Sequence, residues 1–170
     1  MRVSRRTAFT LAAALFTAFG GTTAFAADST VHVSLWDKGP DSAMMNGKMM
    51  LGMGKAMSGG DMAMAMMGIK IDTATIAPGR ITFEVVNDSK DIIHEMIVSP
   101  IKSTDVDLPY LADENRVDEE TAGHLGEVAE LDPGKSGALT VDLTPGLYLL
   151  YCNIPNHFVG GMWTVLTVTE

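Results

Sequence analysis

Apolar and polar side chains alternate along short stretches of this chain, and turn residues separate the stretches. Residues 31–36, Val-His-Val-Ser-Leu-Trp, show the alternation typical of a strand with one buried face. Pro-Gly pairs, such as Pro78-Gly79 and Pro145-Gly146, mark turns. Further strands are predicted within residues 69–76, 81–86, 92–98, 127–131, 137–143, 147–152 and 162–169. Because no long helix is indicated, the pattern predicts an all-β fold, an antiparallel Greek-key β-sandwich or barrel of seven to eight strands.

Two stretches do not follow the strand pattern. Residues 103–124 are polar and acidic, which predicts a long loop with a helical turn. Residues 41–68 form a Met/Gly-rich insertion that holds ten of the chain's thirteen methionines and six glycines. No single helical or strand period covers this insertion, and its glycines disfavour a stable helix. Two interpretations stay open: clustered thioethers that bind additional Cu(I), or a flexible insertion whose methionines pack adaptably.

The first 26 residues are typical of a secretory signal peptide. Arg2, Arg5 and Arg6 precede the short apolar run 11–19, and Ala24-Phe25-Ala26 matches a small-residue cleavage pattern. The Arg pair fits either the general secretory (Sec) route or the twin-arginine route. We therefore expect an exported, periplasmic protein with a single domain at residues 27–170. No second apolar run of membrane-spanning length follows.

The chain is acidic. Its formal net charge is −9, and removal of residues 1–26 takes away three of the twelve Lys and Arg but none of the 21 Asp and Glu, which gives −12. This charge disfavours nucleic acid and anionic lipid as partners. It suits either a cationic partner or no charged partner at all.

One short loop carries a set of soft metal donors. Tyr148, Leu150 and Cys152 share a strand face that we expect to be the core side. Cys152 is the only cysteine; His157 follows five residues later and Met162 five after that. Thiolate, imidazole and thioether together favour copper over zinc, and a second histidine would complete a His₂Cys site with a weak axial Met.

The second histidine has three candidates. His94, soon after a turn and near the start of a predicted strand, is favoured, while His124 and His32 are less suitable alternatives. The alternative for the whole loop is a buried cysteine that acts only as a small core residue.

The stretch "PGLYLLYCNIPNHFVGGM", from Pro145 to Met162, resembles the copper loop of cupredoxins, the type 1 copper proteins. The spacing of Cys152, His157 and Met162 is similar to that in the auracyanin, rusticyanin and sulfocyanin group. The resemblance covers roughly residues 70–170. It implies one type 1 copper held by His94, Cys152, His157 and Met162. Glu95 departs from the family, in which Asn or Ser often follows the first histidine ligand. Its carboxylate is expected either to alter the surroundings of the copper or to point into solvent.

These features predict a one-electron carrier that exchanges electrons with a redox partner protein, a cytochrome or another copper protein. The alternative is a copper tolerance protein that binds, oxidises or buffers excess periplasmic copper with the Met-rich segment. Residues Ile154, Pro155, Phe158 and Val159 are expected to form an apolar docking patch around His157. A copper enzyme is disfavoured, because the chain has four histidines and no His-x-His pair.

Overall fold

The computed structural model describes residues 28–43, 65–105 and 107–170, which form eleven strands and two short helices. The strands are β1 Ser29–Asp37, β2 Met67–Ile71, β3 Thr75–Ile76, β4 Gly79–Asn87, β5 His94–Ile101, β6 Tyr110–Leu111, β7 Arg116–Val117, β8 Gly126–Leu131, β9 Ser136–Leu143, β10 Gly146–Tyr151 and β11 Trp163–Val168. The helices are the 3-10 turn Pro40–Ala43 and α1 Glu119–Ala122. Eight strands have five or more residues, which confirms the predicted all-β class and strand number.

The predicted signal peptide at residues 1–26, and with it the predicted domain boundary, lies outside the described residues. So do residues 44–64, most of the Met-rich insertion. Within the described ranges, no helix is long and apolar enough to cross a membrane.

Two sheets pack face to face. One has the order β2-β1-β4-β9 and the other β3-β11-β10-β5-β8, while β6 and β7 pair separately. Most neighbours are antiparallel, as the pattern predicts, but β1 with β4 and β3 with β11 are parallel. The parallel pairs bring strands distant in sequence together, so the alternation within each strand does not reveal them.

The main core lies between the two sheets. Alternate residues of β10 face it, so Tyr148, Leu150 and the adjoining Cys152 are buried there, as the sequence predicts. Phe83 of β4 and Leu166 of β11 are fully buried in the same cluster. The core thus reaches the end of β10 at which Cys152 begins the loop to β11.

A second apolar cluster lies on the outer face of the five-stranded sheet. Leu149 and Tyr151, the other alternate residues of β10, pack with Leu108 and Val117 from the connection between β5 and β8. This connection contains the helical turn that the sequence predicts, as α1. It is more than a loop, because its apolar residues cover the sheet.

Candidate metal centre

Three buried side chains bring their donor atoms together at one end of the sandwich. Nδ1 of His157 lies 3.2 Å from Nδ1 of His94 and 3.2 Å from Sγ of Cys152. All three donor atoms lie within 4.8 Å of one another. The side chains are at most 2 % exposed. Three of the four residues that the sequence singles out are therefore neighbours in space, although His94 is 58 residues from Cys152.

The loop from Cys152 to Met162 is closed at its base by backbone hydrogen bonds. The Cys152 N–H donates to the Met162 carbonyl over 3.1 Å, and the Met162 N–H donates to the His157 carbonyl over 3.0 Å. Left-handed backbone at Asn156 and Gly161 lets the chain reverse within this short span. The fourth predicted residue, Met162, is fully buried in the cluster that holds Cys152.

Gly160 permits close packing of the loop. A Cβ atom here would lie 3.0 Å from the Asn156 carbonyl oxygen and 3.2 Å from that of His157. It would also lie 3.2 Å from Sδ of Met67, at the start of β2. The last part of the Met-rich insertion therefore packs directly against this loop.

Strand β5 is covered on both faces and has a β-bulge at its start. The register between β5 and β8 shifts between His94 and Met96. The residues from His94 to Ser99 are all buried, because the main core covers one face of β5, at Met96 and Val98, and the outer cluster covers the other, at Ile97. His94 and Glu95 point to opposite covered faces, and both contact the Cys152–Met162 loop, His94 at His157 and Glu95 at Asn153.

Glu95 contacts the loop instead of pointing into solvent, so the solvent-facing alternative is wrong. Its Oε1 accepts the backbone N–H of Asn153 over 2.9 Å, and the residue is 8 % exposed. The pKa of Glu95 is raised to about 7, mainly by burial and further by the negative charges of Glu130, Glu119 and Glu127. The hydrogen bond from the Asn153 N–H acts in the opposite direction and lowers this pKa. Glu95 occupies the position where the resemblance implies Asn or Ser, and it holds the residue directly after Cys152.

Burial sets the protonation of the three donors. It raises the pKa of the Cys152 thiol, against the opposing effect of the backbone N–H groups of Glu95 and Ile154. It lowers the pKa of His157 to about 4, with a further decrease from His94. It also lowers the pKa of His94, outweighing the opposite effect of Asp37. At neutral pH without a metal, the imidazoles are therefore neutral and the thiol holds its proton.

The two alternative histidines are elsewhere on the surface. The side chain of His32 is 65 % exposed and its Nδ1 lies 3.2 Å from Glu84. His124 is exposed between α1 and β8. Neither joins the buried cluster.

The predicted apolar docking patch is wrong in two of its four members. Phe158 and Val159 are 1 % and 8 % exposed and belong to the outer cluster, whereas Pro155 is exposed and Ile154 partly buried. The connection between β5 and β8 covers Phe158 and Val159. The sequence pattern predicts this connection as a loop and therefore does not reveal that it covers these two residues. The ring of Phe158 packs edge-on against Tyr151, with centroids 5.9 Å apart.

Asn153 is a structural residue that the sequence analysis missed. Its Oδ1 accepts the Val117 N–H over 2.7 Å, and its Nδ2 donates to the Val117 carbonyl and to Oε1 of Glu119. These bonds join the Cys152–Met162 loop, which we call the metal loop, to β7 and α1. The only sequence signal is the position of Asn153 next to Cys152; its partners are more than 30 residues away.

An acidic cavity of about 640 Å³ lies beside the cluster. His157, Ile154 and Pro155 line it on the loop side. Its charged lining is mostly carboxylate, with a single arginine: Asp91, Glu95, Arg116, Glu119, Glu127 and Glu130. The cavity gives this end of the protein a negative character next to His157.

The donor set suits copper. Metal bonds of about 2.0–2.3 Å in a trigonal plane place their donor atoms about 3.5–4 Å apart. The separations here, from 3.2 Å to at most 4.8 Å, bracket that range. Two imidazoles and one thiolate with a buried thioether nearby match the preferences of copper, whereas zinc gains little from the thioether.

Comparisons with solved structures agree with this architecture. A structure of auracyanin B superposes with a TM-score of 0.50 and 22% identity, covering 84% of this chain and 89% of that one. A structure of rusticyanin variants superposes with a TM-score of 0.51 and 18% identity, covering 88% and 86%. No protein-family model and no curated protein matches the sequence. The chain has the cupredoxin fold, and its buried cluster fits a type 1 copper site.

Proposed function

We propose that this protein is a periplasmic one-electron carrier in which His94, Cys152, His157 and Met162 hold one copper ion. The observation that carries the proposal is the convergence of two imidazole nitrogens and one sulfur within 4.8 Å in a buried site. When bound, copper would supply a one-electron Cu(I)/Cu(II) couple. The protein is proposed to be a carrier and not an enzyme.

The surrounding residues suit such a role. The closed loop and the two sheets hold the donor atoms in place, so little rearrangement is needed when the charge of the site changes. Burial of the three donors keeps water away from the site. The cavity beside His157 leaves a route by which a partner can approach one imidazole.

The test is a copper titration of the mature protein with recording of visible absorption and of bound copper. We expect one copper per chain and an intense thiolate-to-Cu(II) band that C152A, H94A and H157A abolish. H32A and H124A are matched controls that should keep the band, since both residues lie outside the cluster. Absence of the band in the wild-type protein would contradict the proposal and leave Cys152 as a buried core residue.

A second candidate function is copper tolerance through the Met-rich segment. One observation favours it: the last residues of the segment, and the end of the strand before it, lie beside the metal centre. Asp37 and Met67 are paired across β1 and β2, and the Lys38 N–H donates to the Met66 carbonyl over 2.8 Å. We propose this function as the alternative, with additional Cu(I) bound by residues within 41–68.

The alternative is tested by replacing residues 44–64 with a short Gly/Ser linker. Residues 65–68 stay, because Ala65, Met67 and Gly68 are buried and a Cβ at Gly68 would lie 2.8 Å from the Trp36 ring. If the full chain binds extra Cu(I) that the shortened chain does not, and cells with the shortened chain tolerate less copper, copper tolerance is supported. Equal binding by both forms would contradict it.

We further propose export through the signal peptide and docking of a redox protein, a cytochrome or another copper protein, with a cationic surface. The signal-peptide pattern of residues 1–26 supports export, and the carboxylates around the cavity support a partner with a cationic surface. Amino-terminal sequencing of the periplasmic protein should give a start near residue 27. A full-length cytoplasmic product would contradict export.

A further inference from the structure

His94 has a buried partner on the side of its ring opposite the cluster. Its Nδ1 faces His157, and its Nε2 lies 2.9 Å from Oδ2 of Asp37. The two side chains are 0 % and 2 % exposed. Asp37 ends β1 in one sheet and His94 begins β5 in the other, so this contact joins the two sheets at the metal end.

The carboxylate of Asp37 is fixed by further hydrogen bonds. Its Oδ1 accepts the Gly39 N–H over 2.7 Å, and the Ser89 hydroxyl also donates to the carboxylate. Burial raises its pKa, but the bonds from Ser89, His94 and Gly39 outweigh this, so that the net pKa is lower than usual. The group is therefore an oriented carboxylate that can only accept hydrogen bonds.

This geometry selects one tautomer of His94. Because Asp37 only accepts, the ring proton belongs on Nε2, and Nδ1 is left with a free lone pair directed at the cluster. A carboxylate that accepts the hydrogen bond from one ring nitrogen also makes the other nitrogen a stronger ligand for a metal. Among the described residues, His157 has no hydrogen bond or salt bridge to a carboxylate, so the two imidazoles are not equivalent.

Among the described residues, Asp37 forms no ion pair with a lysine or arginine, although Lys38 and Lys90 line the same small surface depression. Within the described parts of the chain, its one ion-pair partner is the His94 ring. A buried carboxylate is stabilised by a cation, and more so by the more highly charged one. A metal on the far side of the His94 ring would supply that positive charge.

We propose that Asp37 is a positioning residue of the metal centre, which fixes the tautomer and orientation of His94 and favours Cu(II) over Cu(I). The inference rests on the proposed copper site. It assigns a role to the last residue of β1, which lies just beyond the strand predicted from the sequence, residues 31–36.

The experiment compares D37N and D37A with the matched control D91N. Asp91 is exposed and lines the same small surface depression as Asp37, so D91N makes the same charge change at the same end of the molecule. D37N loses the charge and keeps one oxygen, which accepts from Nε2 when the amide nitrogen faces Gly39, whereas D37A loses the charge and both oxygens. Thermal unfolding identifies any variant that does not fold, and D37N, which is nearly isosteric, keeps the test available if D37A fails.

The first readout uses the metal-free protein, so it does not depend on copper binding. ¹⁵N chemical shifts of the His94 ring should show the Nε2–H tautomer in the wild type, D91N and D37N, and a tautomer mixture in D37A. Wild-type His94 in the Nδ1–H tautomer, or an unchanged tautomer in D37A, would overturn the positioning role even if the copper site is real.

The second readout is the affinity for Cu(II) and for Cu(I), measured separately, together with the reduction potential. We expect D37A to weaken Cu(II) binding about 10- to 100-fold, and Cu(I) binding less, so that the potential rises. D37N should raise the potential while keeping the tautomer. If both variants keep the Cu(II)/Cu(I) affinity ratio of D91N, the charge effect is overturned. A wild type without copper binding would instead refute the proposed function.

Discussion

Met162 allows tuning of the site to be separated from packing. M162L removes a thioether donor with almost no change in volume, and such exchanges usually cost less than about 1.5 kcal/mol of unfolding free energy. Loss of this weak donor should destabilise Cu(II) more than Cu(I), so we expect a higher reduction potential with the thiolate band retained. The control is M96L, since Met96 is also fully buried in the main core. Equal potentials in the two variants would show that Met162 is not an axial ligand.

The buried thiol of Cys152 predicts how copper uptake depends on pH. Burial raises the pKa of this thiol, so it is protonated at neutral pH, while His157, with a pKa of about 4, and His94 are neutral. Copper binding as thiolate then releases one proton, and the apparent affinity should rise about tenfold per pH unit near pH 7. Below about pH 4 a second proton, from His157, adds to the release.

Proton release can be measured by titration calorimetry in buffers of different ionisation enthalpy. One proton per copper near pH 7 is the expected value. A value of zero would mean that the thiol is already ionised in the metal-free protein. It would contradict the expectation that burial raises the pKa of Cys152.

Asn153 joins two structural elements that are far apart in sequence. N153A removes three hydrogen bonds to β7 and α1 and leaves the buried Val117 backbone groups without these partners. We expect a loss of about 1–3 kcal/mol in unfolding free energy, measured in urea. Hydrogen exchange of the Val117 amide should accelerate, while that of the β4 amides should change only with global stability. Unchanged exchange at Val117 would show that the outer cluster alone holds this connection.

Gly160 tests how tightly the metal loop is packed. G160A would place a Cβ 3.0 Å from a backbone carbonyl oxygen, which cannot move without the loop. We expect about 1–3 kcal/mol of destabilisation and weaker copper binding. The control G146A has no neighbour closer than 3.8 Å to the added Cβ. Equal copper affinities in both variants would mean that the loop can adjust without moving its donor atoms.

Sequence reasoning succeeded where a pattern is local. Short apolar stretches bounded by turn residues located the eight longer strands, and the spacing of Cys152, His157 and Met162 placed these residues in one loop. It failed where contacts join distant segments. The Asp37–His94 contact spans 57 residues, Glu95 is buried because both faces of β5 are covered, and the cover over Phe158 comes from a stretch that looks like a plain polar loop. Such features depend on pairing between strands, which no short window contains.

The acidic charge of the protein is concentrated in part around the route to the metal centre. Glu119, Glu127 and Glu130 line the cavity beside His157, against one arginine, Arg116. At the other end of the strands, Asp28 and Glu170 are exposed. Charge near the point of electron exchange steers an approaching partner more strongly than equal charge far away, because salt screens beyond about 10 Å.

Electron exchange with small charged reagents tests this steering directly. We expect hexaammineruthenium(II), a cation, to reduce the Cu(II)-loaded protein fastest at low salt, with the rate falling as ionic strength rises. Ferricyanide, an anion, should show the opposite dependence. In stopped-flow measurements, E127Q/E130Q should lower the low-salt rate with the cation roughly two- to tenfold. D28N/E170Q, with the same change in net charge at the far end, should alter it much less. If the two double variants behave alike, only net charge matters, and electrons do not pass through the acidic side of His157.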